Sequence, residues 1–570
     1  MTQMRRAASD ILFVVLALEA GAILLYLGRS LTFSQDEWGS ITFTGTAIDF
    51  LRPVAEHWST FPLLLYRATF GVFQLHSYLP YLADLIVLHL LAVAGAYILM
   101  RRRVGPRVAT ALAIPLLLLG AGSENLFYAA QFGFVGSVMF GVWAMVFIER
   151  TGRWSPVIAS VLLLASLMSS GMGLSFLVAA FGRTILNPSL RMRTLAVVPP
   201  TASYLVWYLL LGNESFRQSD HFADPPAVVS FVARGIGHST GAITGLGYLP
   251  DRDLLAVALF FALLIATVWA VIAGRPLALA AGCLFATLAM YTLVGFVRAH
   301  QLDCNCATKS RYVYVAAFLL ILAVADWLPE LRARMTSQAR RRVAVTRLLA
   351  IALVASIVVN IEALIVTRDR FQNRADVTRA YIALALAHGD EPWVDPNSVP
   401  FAMPPMRLLL TTLERYGSPL RDSLVPGVAK PPGAGAYEAA LLGMVGDGYR
   451  VEPSAPSGEP APVRVIETED LVAAPDGECI RLVDAGPNGA VTVSVPGGIR
   501  IRVTAASTLR GSALLGIDLP PSRPIDLDLP PGSPVDVLIP DIGDARMWRV
   551  RLAVPGAIGQ TSVCAVRTAP

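Results

Sequence analysis

The sequence of 570 residues predicts an α-helical polytopic membrane domain followed by a β-sandwich or jelly roll. Hydrophobic residues make up 55% of the chain and charged residues only 15%, whereas a soluble domain carries about a quarter charged residues. Apolar segments of about bilayer length recur as far as residue 366, and hydrophobic residues alternate with polar ones after residue 463. The composition therefore predicts a membrane part and a sheet part in one chain.

The apolar segments predict eleven membrane spans. Several are short against the about 20 residues that a crossing needs, and the break between two of them at Gly171–Gly173 is the least distinct. No small-residue cleavage site ends the first segment, so we expect a retained span rather than a signal peptide. The spans cover residues 11–29, 79–100, 107–122, 131–148, 155–170, 173–187, 194–212, 253–274, 276–297, 312–328 and 347–366.

The charges between the spans set their orientation. With the N-terminus inside, the inner loops carry twice as many Arg and Lys residues as the outer loops, which is the positive-inside pattern. The net charge of +5 is therefore an orientation signal, and we expect no nucleic-acid partner. The inner loops are short and basic, so we expect any chemistry on the outer face.

Changes in composition divide the chain into three regions. Residues 1–366 form the membrane domain, residues 367–462 an extracytoplasmic helical and irregular connector, and residues 463–570 the sandwich. Within the connector, 368–388 and 403–416 have helical patterns, and 425–462 is a linker rich in Pro and Gly. Predicted strands lie at 480–482, 490–495, 499–504, 535–539, 548–554 and 562–566.

The cysteines fit an outer location for the sandwich. Cys479 and Cys564 lie near its first and last predicted strands, and we predict a disulfide between them. It would close a loop of 85 residues and add about 4 kcal/mol in the chain-entropy model. Cys304 and Cys306 form a Cys-Asn-Cys segment, which favours a disulfide or two thiols over a metal site because a metal needs more ligands.

Two adjacent carboxylates, Asp36 and Glu37, follow the first predicted span. A carboxylate at a lipid boundary loses part of its hydration, which suits it to proton abstraction. The same pair would also be expected if it merely marked the end of a span in the headgroup region. A second polar cluster, Glu56-His57-Trp58, lies further along the same outer loop. Residues 60–75 in this loop and 227–236 in a later one have the pattern of amphipathic helices in the membrane interface.

A cationic cluster lies in another outer loop. Arg298, His300, Lys309 and Arg311 stand at one membrane boundary, with Asp303 as the one acid among them. Lys and Arg often extend toward water from the ends of spans, which is the simpler reading. This positive charge is on the side that the topology rule disfavours, however, so it suits a phosphate headgroup held by guanidinium groups.

The acidic first outer loop, the cationic outer boundary and the juxtamembrane helices resemble membrane glycosyltransferases of the GT-C class, which use polyprenyl-phosphate sugars. The resemblance covers residues 1–366 as architecture. The C-terminal region resembles, in position and strand pattern, the carbohydrate-binding modules of actinobacterial cell-wall arabinosyl- and mannosyltransferases. No sequon-recognition motif is found, which disfavours oligosaccharyl transfer to protein.

This resemblance implies sugar transfer from a polyprenyl-phosphate donor to a cell-envelope glycan or glycolipid acceptor, at the outer face of a bacterial plasma membrane. Asp36 would be the general base, with Glu37 assisting. No cofactor is assigned, although Asp36 and Glu37 leave a divalent cation open. The donor phosphate would bind Arg298, His300, Lys309 and Arg311. Glu56 and His57 are candidates to line the acceptor site. Trp58 is a candidate to stack on a sugar face, although an aromatic belt at the membrane interface explains it as well. Glu124 and Gln131 are candidates either for a sugar contact or for satisfied polar groups within the helix bundle.

Two other functions remain open from the sequence. A transporter or flippase of lipid-linked saccharides would place ionisable groups near the membrane midplane, where Asp84 and His89 are the candidates. We expect these two residues instead to form buried polar pairs between helices. A membrane-anchored sugar-binding scaffold is the third function.

Overall fold

The computed structural model forms two compact units. The first contains Met1–Leu31, Phe43–Gln74 and Tyr78–Gln372, and the second contains Thr32–Thr42, Leu75–Ser77 and Asn373–Pro570. Cys304 lies outside the described residues. The structure describes residues 2–43, 45–46, 48–54, 56–213, 224–246, 252–300, 306–334, 339–389, 394, 403–420, 440, 444, 451–453, 460–461, 463–483, 486–516, 525–539, 547–555 and 561–567.

Within these residues, eight helices are long and apolar enough to cross a membrane. Three further apolar helices have lengths of about 18–20 Å, which is less than the thickness of about 30 Å of the hydrocarbon core. Each predicted span coincides with one of these helices, and the chain is a multi-pass membrane protein. The long helices are Ala7–Gly28, Leu79–Val104, Ala129–Ile148, Pro188–Gly212, Leu254–Ile272, Ala278–Arg298, Ser310–Arg334 and Thr346–His388. The shorter ones are Pro106–Leu117, Ser155–Leu167 and Gly173–Ile185.

The helix that contains the last predicted span continues beyond residue 366. One continuous helix, Ala339–His388, contains the predicted span 347–366 and the segment 368–388, which was also expected to be helical. The reason is local, because this stretch contains no Gly or Pro that would interrupt a helix. The change at Thr367 is therefore one of polarity and not of secondary structure.

The two segments that were predicted to be amphipathic helices of outer loops are helices. Thr60–Phe73 buries Leu63, Tyr66 and Phe70, and Thr69 donates a hydrogen bond to Asp84 at 2.5 Å. The second, Pro225–Thr244, is longer than the predicted 227–236. A methyl group at Gly235 would lie 2.2 Å from the Tyr291 ring, so glycine is required for this close approach of two helices.

Buried charges join helix ends on the predicted inner side of the first unit. Arg103 lies 2.7 Å from Asp326 and also contacts Glu149, which Arg183 contacts at 3.0 Å. The second Asp326 oxygen accepts the Ala280 backbone N–H at 3.0 Å. Every charge in the cluster has a partner of opposite charge, as buried charges require. The cluster thereby links helices from distant parts of the sequence.

The predicted strands of the second unit form two antiparallel sheets. Two short strands, β1 Pro53–Val54 and β2 His57–Trp58, lie in the first unit. The strands of the second unit are β3 Val451–Pro453, β4 Pro460–Ala461, β5 Arg464–Glu469, β6 Val472–Asp476, β7 Cys479–Val483, β8 Ala490–Pro496, β9 Ile499–Ala505, β10 Leu509–Gly516, β11 Ile525–Leu529, β12 Val535–Leu538, β13 Met547–Ala553 and β14 Thr561–Arg567. The first sheet has the order β11-β10-β13-β8-β5, and the second has the order β3-β12-β9-β14-β7-β6, with β4 beside β14.

Burial alternates along the central strands, as expected for sheets with one covered face. Strand β9 alternates buried and half-buried residues over its whole length, and β13 buries Trp548, Val550 and Leu552. β3 and β4 lie within the stretch 425–462 that we expected to be a linker, and they pair with β12 and β14. Among the described residues of the second unit, Val451–Pro453 is thus already part of a sheet, although it is too short to show alternation.

Cys479 and Cys564 form a disulfide, which confirms that prediction. They lie directly opposite each other on the paired strands β7 and β14. The bond therefore joins neighbouring strands across 85 residues of sequence. In the first unit, Cys306 is disulfide-bonded and Cys283 is a buried free thiol.

Candidate functional site

A tight hairpin between the long helices Ala7–Gly28 and Leu79–Val104 presents Glu56 and His57. Strand β1, Pro53–Val54, pairs with β2, His57–Trp58, so only two residues form the turn. Glu56 is the second of them and has a φ of 71°, a conformation that favours glycine. The hairpin therefore holds a carboxylate in a strained backbone position.

Two tryptophans fix the hairpin to the helix Val198–Trp207. The Trp58 and Trp207 rings stack with centroids 5.0 Å apart, and the Trp207 indole N–H donates to the Leu51 carbonyl at 2.7 Å. The Trp58 N–H donates to Thr60 Oγ1 at 2.9 Å. Trp58 is thus buried as an anchor of the loop, and its proposed contact with a sugar stays a prediction.

Glu56 and His57 line a cavity of about 500 Å³ in the first unit. Glu56, His57 and Arg298 lie together and form the polar end of the cavity, and the remaining wall is largely apolar. Leu293 and Phe296 on that wall are 50% and 41% exposed at the protein surface. The lining residues are Glu56, His57, Gly171, Met172, Leu174, Ser175, Tyr204, Tyr208, Met290, Leu293, Val294, Phe296, Val297, Arg298 and Tyr312. Apolar walls with a few convergent polar groups are typical of small-molecule sites.

Arg298 supplies the positive charge of the cavity. It is the last residue of the helix Ala278–Arg298, where a cation is favoured by the helix dipole. Its Nη2 lies 2.9 Å from Glu56 Oε2, and the two side chains are 28% and 21% exposed. The guanidinium is therefore partly desolvated and has a carboxylate as its counter-ion.

A second ion pair involves Arg311. Arg311 Nη1 lies 3.8 Å from Glu124 Oε1, and the same oxygen accepts a hydrogen bond from Gln131 Nε2 at 3.3 Å. The Arg311 carbonyl accepts from Asn125 Nδ2 at 3.3 Å, and Ser310 Oγ accepts the Glu124 N–H at 3.0 Å. Glu124 and Gln131 thus belong to one polar cluster with Arg311.

The charges of Arg298 and Arg311 both act on His57. Burial, together with the charges of Arg298 and Arg311, lowers the pKa of His57 from 6.5 to about 4. The ring has an edge-on contact with Phe134 at 5.9 Å, and a methyl group at Gly171 would lie 3.1 Å from His57 Nδ1. His57 is therefore neutral at neutral pH and can donate or accept one hydrogen bond in the cavity.

We predict that the His57 ring titrates with a midpoint near 4. A folded pKa below the unfolded value means that the unfolded chain binds the proton more tightly. The contribution of His57 to stability is therefore present above about pH 6.5 and is lost as the pH falls toward 4. NMR titration of ¹³C-labelled histidine, assigned with His57→Gln, measures this midpoint. A midpoint at 6.5 would contradict the described surroundings.

Asp36 and Glu37 belong to the second unit, which contains Thr32–Thr42. They start the short helix Asp36–Ile41, after Gln35 with a φ of 47°. Glu37 is fully buried, and its Oε2 accepts the Ser34 backbone N–H at 2.7 Å. Asp36 is exposed. Within this turn Glu37 has a structural contact, and Asp36 carries the accessible carboxylate.

The structure thus brings together only part of the predicted site. Glu56, His57 and Arg298 share one cavity, and the Arg311 charge acts on His57. His300 and Lys309 are exposed, so their contact with phosphate stays a prediction. Asp84 and His89 are paired between helices, as expected: Asp84 accepts from Thr69, and His89 Nδ1 lies 2.9 Å from the Tyr314 hydroxyl.

Sequence reasoning missed the tyrosines of the cavity. Tyr204 and Tyr208 are spaced by four residues, and Tyr208 begins a π-helical turn, Tyr208–Gly212. The spacing was a visible signal, because i and i+4 share one helix face. The break at Gly171–Gly173 was a second signal, since Gly171 leaves room for His57.

Among the described residues, no group of three or more His, Cys, Asp or Glu side chains could hold a metal ion. Asp36 and Glu37 alone provide fewer ligands than a divalent cation usually takes from a protein site, and Glu37 is already used by Ser34.

The second unit has a groove of about 890 Å³ along β5, β6 and β7. Its lining contains no aromatic side chain, so it lacks the ring faces on which sugars stack. The lining is Val463, Arg464, Val465, Thr468, Leu471, Val472, Ala473, Ala474, Pro475, Gly477, Glu478, Cys479 and Ile480. Carbohydrate binding by this unit stays a prediction from the sequence.

No protein-family model matches the chain, and no curated protein matches it. Among solved structures, the arabinosyltransferase EmbB from Mycobacterium smegmatis is similar, with 13% sequence identity and a TM-score of 0.29. The alignment covers 100% of this chain and 65% of that one, so the chain spans about two thirds of the length of EmbB. A TM-score of 0.29 is too low to show a shared fold, and the function proposed below rests on the cavity.

Proposed function

We propose that the chain is an integral membrane glycosyltransferase. It moves a sugar from a polyprenyl-phosphate donor to a cell-envelope glycan or lipid acceptor on the outer face of the membrane. The single observation that supports this function best is the amphiphilic cavity, with an apolar wall and a polar end made by Arg298, Glu56 and His57.

The two ends of the cavity match the two parts of such a donor. A polyprenyl chain is apolar, and Leu293 and Phe296 extend the apolar wall to the surface of a membrane-crossing helix. The phosphodiester carries one negative charge, which the Arg298 guanidinium can bind through two parallel hydrogen bonds. Neutral His57 can add one more hydrogen bond without changing the charge of the cavity.

The reaction balances with groups of this chain. The acceptor hydroxyl gives its proton to a carboxylate, for which we propose Asp36. The acceptor oxygen forms a bond to the anomeric carbon as the bond from that carbon to the phosphate oxygen breaks. Polyprenyl phosphate leaves with the electron pair and gains one negative charge. Arg298 and Arg311 are proposed to stabilise this developing charge in a partly desolvated place, where such contacts are strongest.

The function is tested by transfer in a reconstituted system. Purified protein in liposomes receives a radiolabelled polyprenyl-phosphate sugar together with an envelope glycan extract. We expect a labelled glycan and one released polyprenyl phosphate for each sugar transferred. Movement of the donor between leaflets without any labelled product contradicts transfer and favours a transporter of lipid-linked saccharides.

A further inference from the structure

Glu56 is held against Arg298 by the backbone and not only by attraction. The hairpin turn leaves Glu56 with a φ of 71°, which costs about 1 kcal/mol or more for a residue with a Cβ atom. The hairpin is fixed at its base by the stacked pair of Trp58 and Trp207. A strained position that points a carboxylate at the cavity cation indicates a use for that carboxylate beyond folding.

The contact places Glu56 where the lipid phosphate must bind. Glu56 Oε2 lies 2.9 Å from Arg298 Nη2, and both residues line the cavity. A guanidinium offers a limited set of donors in one plane, so a carboxylate and a phosphate compete for the same hydrogen bonds. Phosphate binding therefore requires that Glu56 move away or share the guanidinium.

The two ligands of the reaction differ in charge. The donor is a phosphodiester with one negative charge, and the product is a phosphomonoester with about 1.5 to 2 negative charges at neutral pH. Repulsion from a neighbouring carboxylate grows with that charge. Glu56 therefore opposes the product more strongly than the donor.

We propose that the Glu56 carboxylate competes with lipid phosphate for Arg298 and expels the phosphomonoester product after transfer. This inference rests on the proposed function, and it makes Glu56 a residue that determines specificity between diester and monoester. The cavity wall also contains His57 and Tyr312, and the charge of Arg311, which pairs with Glu124, acts on His57. Among these, Glu56 is the carboxylate bonded to Arg298.

The experiment compares two probes on the full chain in nanodiscs. Farnesyl phosphate represents the monoester and farnesyl methyl phosphate the diester, at a pH of about 8 where the monoester is fully ionised. Glu56→Gln is expected to tighten monoester binding about tenfold and diester binding about threefold or less. Because product then leaves slowly, steady-state turnover falls while the first turnover keeps its rate.

Asp49→Asn is the matched control. Asp49 lies in the same outer loop and carries the same charge, but its partners are Thr46 and Arg52 and it does not line the cavity. Asp49→Asn should bind both probes within about twofold of the unchanged protein, since the Asp49 carboxylate is paired with Arg52 and does not line the cavity. Equal tightening by Asp49→Asn and Glu56→Gln would show a general charge effect and would overturn the proposal.

Glu56→Asp is a second variant that keeps the test valid if Glu56→Gln does not fold. The shorter side chain keeps the charge but draws the carboxylate away from Arg298, so we expect monoester affinity between those of Glu56→Gln and the unchanged protein. Unchanged monoester binding in both variants overturns the role of Glu56 and leaves the glycosyltransferase function standing. An unchanged protein that binds neither probe overturns both.

Discussion

Arg298→Gln is expected to weaken the binding of polyprenyl phosphate by about 10- to 100-fold. A hydrogen bond to a charged group contributes about 1.5 to 3 kcal/mol, and Arg298 is the cation in the cavity wall. The substitution also leaves Glu56 as an uncompensated negative charge beside the phosphate position. Both effects act in the same direction, which makes this the largest expected change in affinity.

Binding is measured with the full chain in nanodiscs, by titration with a fluorescent polyprenyl phosphate. Arg275→Gln is the control, because it removes the same charge from an exposed residue that pairs with Glu330 and does not line the cavity. Arg275→Gln should bind as the unchanged protein does. If Arg298→Gln also keeps full affinity, the phosphate does not bind at this cavity.

Asp36→Asn is expected to lower sugar transfer by about 10³-fold while leaving donor binding intact. A positioned general base contributes about 10² to 10⁴ in rate, and the amide has nearly the same shape without the ability to accept the proton. Asp36 is exposed at the start of its helix, whereas Glu37 is buried and accepts the Ser34 N–H. Loss of activity with an unchanged thermal unfolding midpoint would then reflect chemistry and not folding.

Glu37→Gln provides the comparison. The Gln side chain can still accept the Ser34 N–H, so we expect folding and most of the activity to survive. Initial transfer rates and thermal unfolding midpoints are measured together for both variants. A fully active Asp36→Asn enzyme would remove Asp36 from the mechanism, and loss of activity in Glu37→Gln alone would move the base to Glu37.

Much of the fold could be predicted because its signals are local. Apolar segments of helix length predicted the spans, and alternation predicted strands such as β9, whose buried residues follow a period of two. The predicted span 347–366 and the predicted helix 368–388 lie in the one helix Ala339–His388, because a change of polarity does not end a helix when no Gly or Pro is present. β3 and β4 were missed because two or three residues cannot show a period.

The candidate site was harder to predict because its members are distant in sequence. Charge and position in the outer loops indicated Glu56, His57, Arg298 and Arg311. The pairing of Glu56 with Arg298 spans 242 residues and had no sequence signal. The role of Trp58 also depended on packing, since stacking on Trp207 appears only once the hairpin meets its helix.

The central claim is that the cavity of Glu56, His57 and Arg298 holds a lipid phosphate. Photocrosslinking with a polyprenyl phosphate that carries a diazirine in its first isoprene unit, followed by peptide mapping, tests it most directly. We expect labelled peptides from the cavity wall around Leu293–Val297 and Met172–Ser175, with labelling suppressed by excess unmodified polyprenyl phosphate and in Arg298→Gln. Labelling confined to helices without cavity residues, such as Ala7–Gly28, and unaffected by competitor would contradict it.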